Sequence, residues 1–168
     1  MVSTATAGMW QTPPMVRTPP PPSSPRDRAI GLLARREQSQ RELQRKLIAK
    51  GVTADAAKAT VEQLAQARLQ SDPRFAGMIV RKRSQDGYGP LRIRMELHSH
   101  GISTEQIELA LAAEAVDWQQ LAQRLYQRKF ADQPASSFKE RAKRANWLAQ
   151  RGFPSELASR LAHLLGDD

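Results

Sequence analysis

Three glycines, Gly51, Gly101 and Gly152, stand 50 and 51 residues apart in the same local setting. A leucine lies four residues before each (Leu47, Leu97, Leu148), and an apolar residue follows each (Val52, Ile102, Phe153). Self-similarity at this period marks a repeat of small supersecondary units. A unit this short encloses only a small core and gains stability by stacking on its neighbour. The spacing predicts an elongated, curved array with a long concave face, not a globule around one centre.

The residues between the glycines read as helices. Ser24-Pro25, with Asp27, starts the first, whose apolar residues are Ile30 and Leu33. Ser39 to Glu42 is a capping box opening the second, with Leu43 and Leu47 inside. Thr53 caps the third, with Val61, Leu64 and Leu69 inside. The same grammar returns after Asp72-Pro73, a cap followed by proline at the first helical position. Phe75, Ile79 and Val80 fall at helical spacing; Gly87 to Gly89 breaks the helix, and Pro90 restarts it with Ile93 and Leu97 inside. Ser103 and Gln106 form a capping box for a helix that buries Ile107, Ala110 and Leu111. A third copy runs from Asp117 through Trp118, Leu121, Ala122 and Leu125, another capping box at Ser137 to Glu140, and Leu157, Leu161 and Leu165. Strand signals are absent. The fold class is therefore all-α: three tandem three-helix repeats at 24–70, 71–116 and 117–168.

Residues 1–23 are a different material. Seven of the eleven prolines lie between Pro13 and Pro25, and Arg17 is the only charge before Arg26. Such a segment buries too little apolar surface to order itself, so a disordered Pro-rich tail is expected. It is either passive or a ligand for an aromatic-lined groove. No apolar run is long enough to span a bilayer and no secretory signal core is present, so a cytoplasmic protein without membrane contact is expected. Cysteine is absent, which excludes disulfides and thiolate metal sites.

The 168 residues carry a formal net charge of +9. That favours an acidic partner, nucleic acid first, over a merely well-solvated surface. The charge is uneven. Residues 26–70 hold ten basic and five acidic side chains, residues 71–117 six and seven, and residues 118–168 nine and five. The middle unit still concentrates cations at Arg81, Lys82 and Arg83 and at Arg92 and Arg94, while its acids lie mostly later, at Glu105, Glu108, Glu114 and Asp117. Arg83 serves equally well as a complement to a helix C-terminus.

The sequence offers little for catalysis. It has no P-loop and no dinucleotide glycine fingerprint. His98 and His100, two apart on a helix, diverge and make a poor metal pair, and His163 stands alone. No nucleophile–base arrangement is visible. Neither an enzymatic activity nor a cofactor is expected. Trp118 and Trp147 sit in apolar stripes and read as core. Tyr88, in the interhelical turn, is the aromatic best placed for stacking.

The central stretch resembles the RecX regulatory proteins of bacteria. The resemblance rests on Phe75-Ala76 after Asp72, then Arg81, then Gly89-Pro90 with Arg92-Ile93, then Leu97 and Gly101-Ile102. Arg41-Glu42-Leu43 with Leu47 and Gly51 in the first unit, and Arg151-Gly152-Phe153 in the third, extend it over about residues 26–165. It implies tandem three-helix repeats that bind the RecA filament on single-stranded DNA, lie along its groove and suppress its ATPase, strand-exchange and coprotease activities. Direct binding of single-stranded, and also of double-stranded, DNA is implied for some members. A monomer acting against this partner is expected. Charge and family position together select Arg81, Lys82, Arg92, Arg94 and Tyr88 as contact residues, with Arg41 and Arg144 flanking. A stand-alone basic DNA-binding array is the alternative, and a peptide-binding helical scaffold a third reading.

Overall fold

The computed structural model describes residues 24–130 and 137–165, so the expected tail and the connection at 131–136 lie outside the described residues. Nine helices fill the described chain: α1 (Pro25–Leu33), α2 (Gln40–Ala49), α3 (Ala54–Gln66), α4 (Asp72–Gln85), α5 (Pro90–Ser99), α6 (Thr104–Glu114), α7 (Trp118–Phe130), α8 (Phe138–Gln150) and α9 (Ser155–Leu164). Helices α1–α3, α4–α6 and α7–α9 form units 1, 2 and 3. Each unit closes its own apolar cluster, around Leu43 and Leu64, around Phe75 and Ile107, and around Tyr126 and Phe153. Trp118 packs against the clusters of both units 2 and 3.

The repeated glycines have one physical explanation. Gly51, Gly101 and Gly152 take φ of +85°, +81° and +90°, the left-handed region that favours glycine. The apolar residue after each donates its N–H back to the leucine before it: Val52 to Leu47 at 3.1 Å, Ile102 to Leu97 at 3.1 Å, Phe153 to Leu148 at 3.3 Å. This is the Schellman helix end, whose flanking apolar pair seals the last turn. The registered triplet in the sequence is therefore the stop of each unit's middle helix, α2, α5 and α8.

These three helices run head to tail. The start of α2 meets the end of α5, where the Arg41 stem packs on Gly101. The start of α5 meets the end of α8, where Gly89 N donates to Arg151 O at 2.8 Å and Leu91 N to Gly152 O at 3.0 Å. The free N–H groups that Gly89 cannot cap with a side chain are thus satisfied by the carbonyls left open at the end of α8. A negative helix end faces a positive one at each junction. Unit 2 consequently lies between the other two, and the array is elongated.

Several sequence expectations shift by a residue. Ser71, not Asp72, caps α4, its hydroxyl accepting from Arg74 N. The Asp72 carboxylate instead crosses to unit 1, accepting from Gln40 N at 2.9 Å and Gln70 Nε2 at 2.8 Å. Ile30 is exposed, and Ala29 takes the buried place on α1. Leu69 is 46% exposed and Gln70 2%, because Arg68 turns left-handed after α3 and swings Leu69 outward. Ser39 and Ser137 cap their helices, but Glu42 and Glu140 bond to cations in place of closing the boxes.

Candidate partner-binding surface

The expected cations divide into those held by a carboxylate and those left open. Arg81 pairs with Glu114 across unit 2. Lys82 lies 3.8 Å from Asp86. Arg94 grips Glu108 through two bonds of 2.6 and 2.9 Å. That bond holds the Glu108 carboxyl below its usual range and raises the Arg94 pKa. Arg83 binds Glu96 through two bonds of 2.7 Å, so it is a partner of α5 and not only a helix-end cation. These pairs leave the middle unit's arginine-rich face close to neutral.

Arg41 and Arg92 differ. Both are exposed, and among the described residues neither has a carboxylate partner. Arg92 lies 4.7 Å from the centre of the Tyr88 ring. Tyr88 itself is half-buried, not freely exposed, because Arg151 approaches the same ring at 5.8 Å. The alternation continues into unit 3. Arg151 lies 4.8 Å from Trp147, Lys129 lies 5.0 Å from Trp147 and 5.7 Å from Phe130, and Arg144 lies 4.8 Å from Phe130. A ladder of cations and rings therefore spans the junction of units 2 and 3, each step contributing about 0.5–1 kcal/mol where exposed.

Arg144 is the misplaced expectation. It is 2% exposed, sits over Phe130 and bonds Glu140 through Nη2 at 3.0 Å. Burial opposes its charge, while Tyr126 and Glu140 beside it raise its pKa above the usual value. Its Nε and Nη1 are buried without a hydrogen-bond partner. Its place is inside unit 3, beyond reach of a macromolecular partner. The residues that sequence reasoning missed are Arg151 and Lys129 in the ladder and Arg45 on α2, which is exposed and has no carboxylate partner among the described residues. The available signal was positional: Arg151 directly precedes a repeat glycine, at the end of a middle helix.

The histidines do not gather. The His100 ring meets Phe75 at a tilt of 59° with centres 5.0 Å apart, and its Nδ1 lies 3.9 Å from Glu42 Oε2, while His98 and His163 are exposed. No group of three or more His, Asp or Glu among the described residues is placed to hold a metal ion. No described helix is long and apolar enough to cross a membrane.

The fold and this surface define a tandem three-helix repeat protein that carries Arg41, Arg45 and Arg92, exposed and without a carboxylate partner among the described residues, on its middle helices. Family models for the first, second and third three-helix domains of RecX match residues 26–64, 71–111 and 116–161. The regulatory protein RecX of Xanthomonas oryzae pv. oryzae is 48% identical over 130 residues, covering 77% of this chain and 81% of that one. The regulatory protein RecX of Stenotrophomonas maltophilia is 42% identical over 149 residues, covering 89% and 91%. The crystal structure of RecX from Lactobacillus salivarius superposes with a TM-score of 0.72 at 20% identity, covering 84% of this chain and 94% of that one. The chain belongs to the RecX family.

Proposed function

We propose that the protein is a negative regulator of the RecA recombinase that acts by binding, without catalysing a reaction of its own. In this reading a monomer lies along the RecA–single-stranded DNA filament in the cytoplasm and suppresses ATP hydrolysis and strand exchange, and so regulates DNA repair and recombination. The observation that carries the reading is family membership across all three units. The architecture supports it: an elongated array with a binding surface on each unit engages several protomers of a filament, and weak contacts made together bind tightly through effective concentration. Titrating the protein onto preformed filaments is expected to lower ATP turnover. Unchanged turnover at saturating protein overturns the reading.

The carboxylate-free cations favour a second reading, direct binding of single-stranded DNA. It predicts an affinity that falls with salt by about 0.7 logarithmic unit per phosphate contact. Lys129→Gln is expected to lower that slope, and Arg94→Gln, whose cation is occupied by Glu108, to leave it unchanged. Binding that is insensitive to salt excludes this reading.

A further inference from the structure

The head-to-tail row of middle helices creates the same cleft twice. At the junction of units 1 and 2, α2 presents Arg41, Arg45 and Ile48 beside Ser99 and His100 at the end of α5, around a cleft of about 540 Å³. At the junction of units 2 and 3, α5 presents Leu91, Arg92 and Met95 beside Ala149 and Gln150 at the end of α8, around a cleft of about 710 Å³. The two sets correspond through the repeat. Arg41 and Leu91 are 50 residues apart, as are Arg45 and Met95, so the two clefts share backbone positions while cation and apolar residue exchange places; Arg41 packs on Gly101 at the first, and Gly152 lines the second.

Each cleft combines an open cation with an apolar side chain in water. Arg41 and Arg45 have no carboxylate among the described residues, and Ile48 beside them is 48% exposed. Arg92 is likewise without a carboxylate, and Met95 is 73% exposed with Leu91 at 44%. The one acid in the first cleft, Glu42, is already engaged by Arg36 and Lys46, and the one in the second, Glu96, by Arg83. The clefts are therefore electropositive at the lip and apolar along one wall. Phosphate alone makes no use of a methionine or an isoleucine there. A protein segment carrying a carboxylate beside an apolar side chain satisfies both walls, and a row of two such clefts suits a partner that presents this segment once per subunit.

We infer that the α2–α5 and α5–α8 clefts are paired docking sites for acidic, apolar-flanked segments of successive protomers in a repeating protein assembly. This rests on the filament reading above and assigns the face that makes the contact.

The test uses the full-length protein, with cosedimentation on RecA filaments for binding and ATP turnover for suppression. Arg45→Gln and Met95→Ser are each expected to weaken binding about fivefold or more, the size of loss typical of a central contact residue. Leu109→Ser, which alters an exposed leucine on α6 away from both clefts, is expected to leave binding unchanged. Thermal unfolding of each variant checks that the fold is kept; none of the three side chains is buried. If Arg45→Gln weakens binding and Met95→Ser does not, a purely anionic ligand such as the DNA strand occupies the row and the proposal is overturned. Binding unaffected by both variants overturns the clefts and spares the filament reading. Wild-type binding without suppression overturns the proposed function and spares the clefts. Absence of wild-type binding overturns both.

Discussion

Gly51 and Gly89 make different demands on their side chains. At Gly51 a Cβ would meet nothing within 4 Å, but φ is +85°. At Gly89 φ is an ordinary −84°, but a Cβ would lie 2.4 Å from the Gly152 carbonyl atoms. Gly51→Ala therefore carries left-handed strain of about 1–2 kcal/mol and leaves the array's shape intact. Gly89→Ala must push units 2 and 3 apart, because all three obstructing atoms, the Gly152 carbonyl pair and Phe153 N, are backbone. Thermal unfolding with small-angle scattering separates the two: a lower Tm with an unchanged radius of gyration for Gly51→Ala, and a changed scattering profile for Gly89→Ala. An unchanged profile for Gly89→Ala contradicts the packed junction. Arg144 gives a second check. Two of its nitrogens are buried without partners, so Arg144→Met, which removes them together with the guanidinium over the Phe130 ring, is expected to leave Tm unchanged or raise it. A loss of several degrees would show that the guanidinium bonds outweigh its burial.

Among the helices, α2 carries the clearest electrostatic stake. Glu42 is 4% exposed and bonded to Arg36 and to Lys46, the latter at 2.7 Å. Burial pushes its carboxyl up, but the hydrogen bonds from Arg36 and Lys46 outweigh that and hold its pKa below the ordinary value of 4.5. A depressed folded pKa stabilises the fold above the unfolded value. This contribution is therefore present above about pH 4.5 and fades as pH falls through the lower folded value. Glu42→Gln is expected to lose about 1.5–3 kcal/mol at neutral pH, the range for hydrogen bonds to a charged group, and to flatten the acid limb of the stability curve. Denaturant unfolding from pH 3 to 7 measures it, and an acid limb as steep as wild type contradicts it. The same residue shows what sequence could and could not give. Ser39 and Glu42 at capping-box spacing correctly mark the start of α2, because the cap needs only Ser39 Oγ and a nearby N–H. Where the Glu42 carboxylate goes depends on Arg36 and Lys46 folding back onto it, which no local spacing records. Leu69 fails likewise: its apolar character is local, but its exposure follows from the left-handed turn at Arg68.

The three units are joined by two different kinds of seam. Units 2 and 3 share backbone hydrogen bonds at Gly89 and Leu91, reinforced by Arg151 Nη1 donating to Gly87 O at 3.3 Å. Units 1 and 2 share side chains: Asp72 on Gln40 N, and Arg74 on Glu37 at 2.6 Å. The repeat was visible in the sequence because each Schellman end needs a leucine, a glycine and an apolar residue at fixed spacing. The seams were not, because they bring together residues more than thirty apart whose types carry no periodic signal. The sequence likewise selected Arg81 and Arg94 as contact residues but could not show that Glu114 and Glu108 pair with them. The resulting molecule is a row of three small cores whose middle helices align, suited to a partner that is itself long and repetitive. Comparing its affinity for RecA assembled on single-stranded DNA with its affinity for dispersed RecA without DNA puts that geometry to the test. Binding to the filament is expected to be at least about a hundredfold tighter, since several units engage at once. Equal affinity for the two forms would mean that a single unit makes all the contacts, and the extended row would then play no part in recognition.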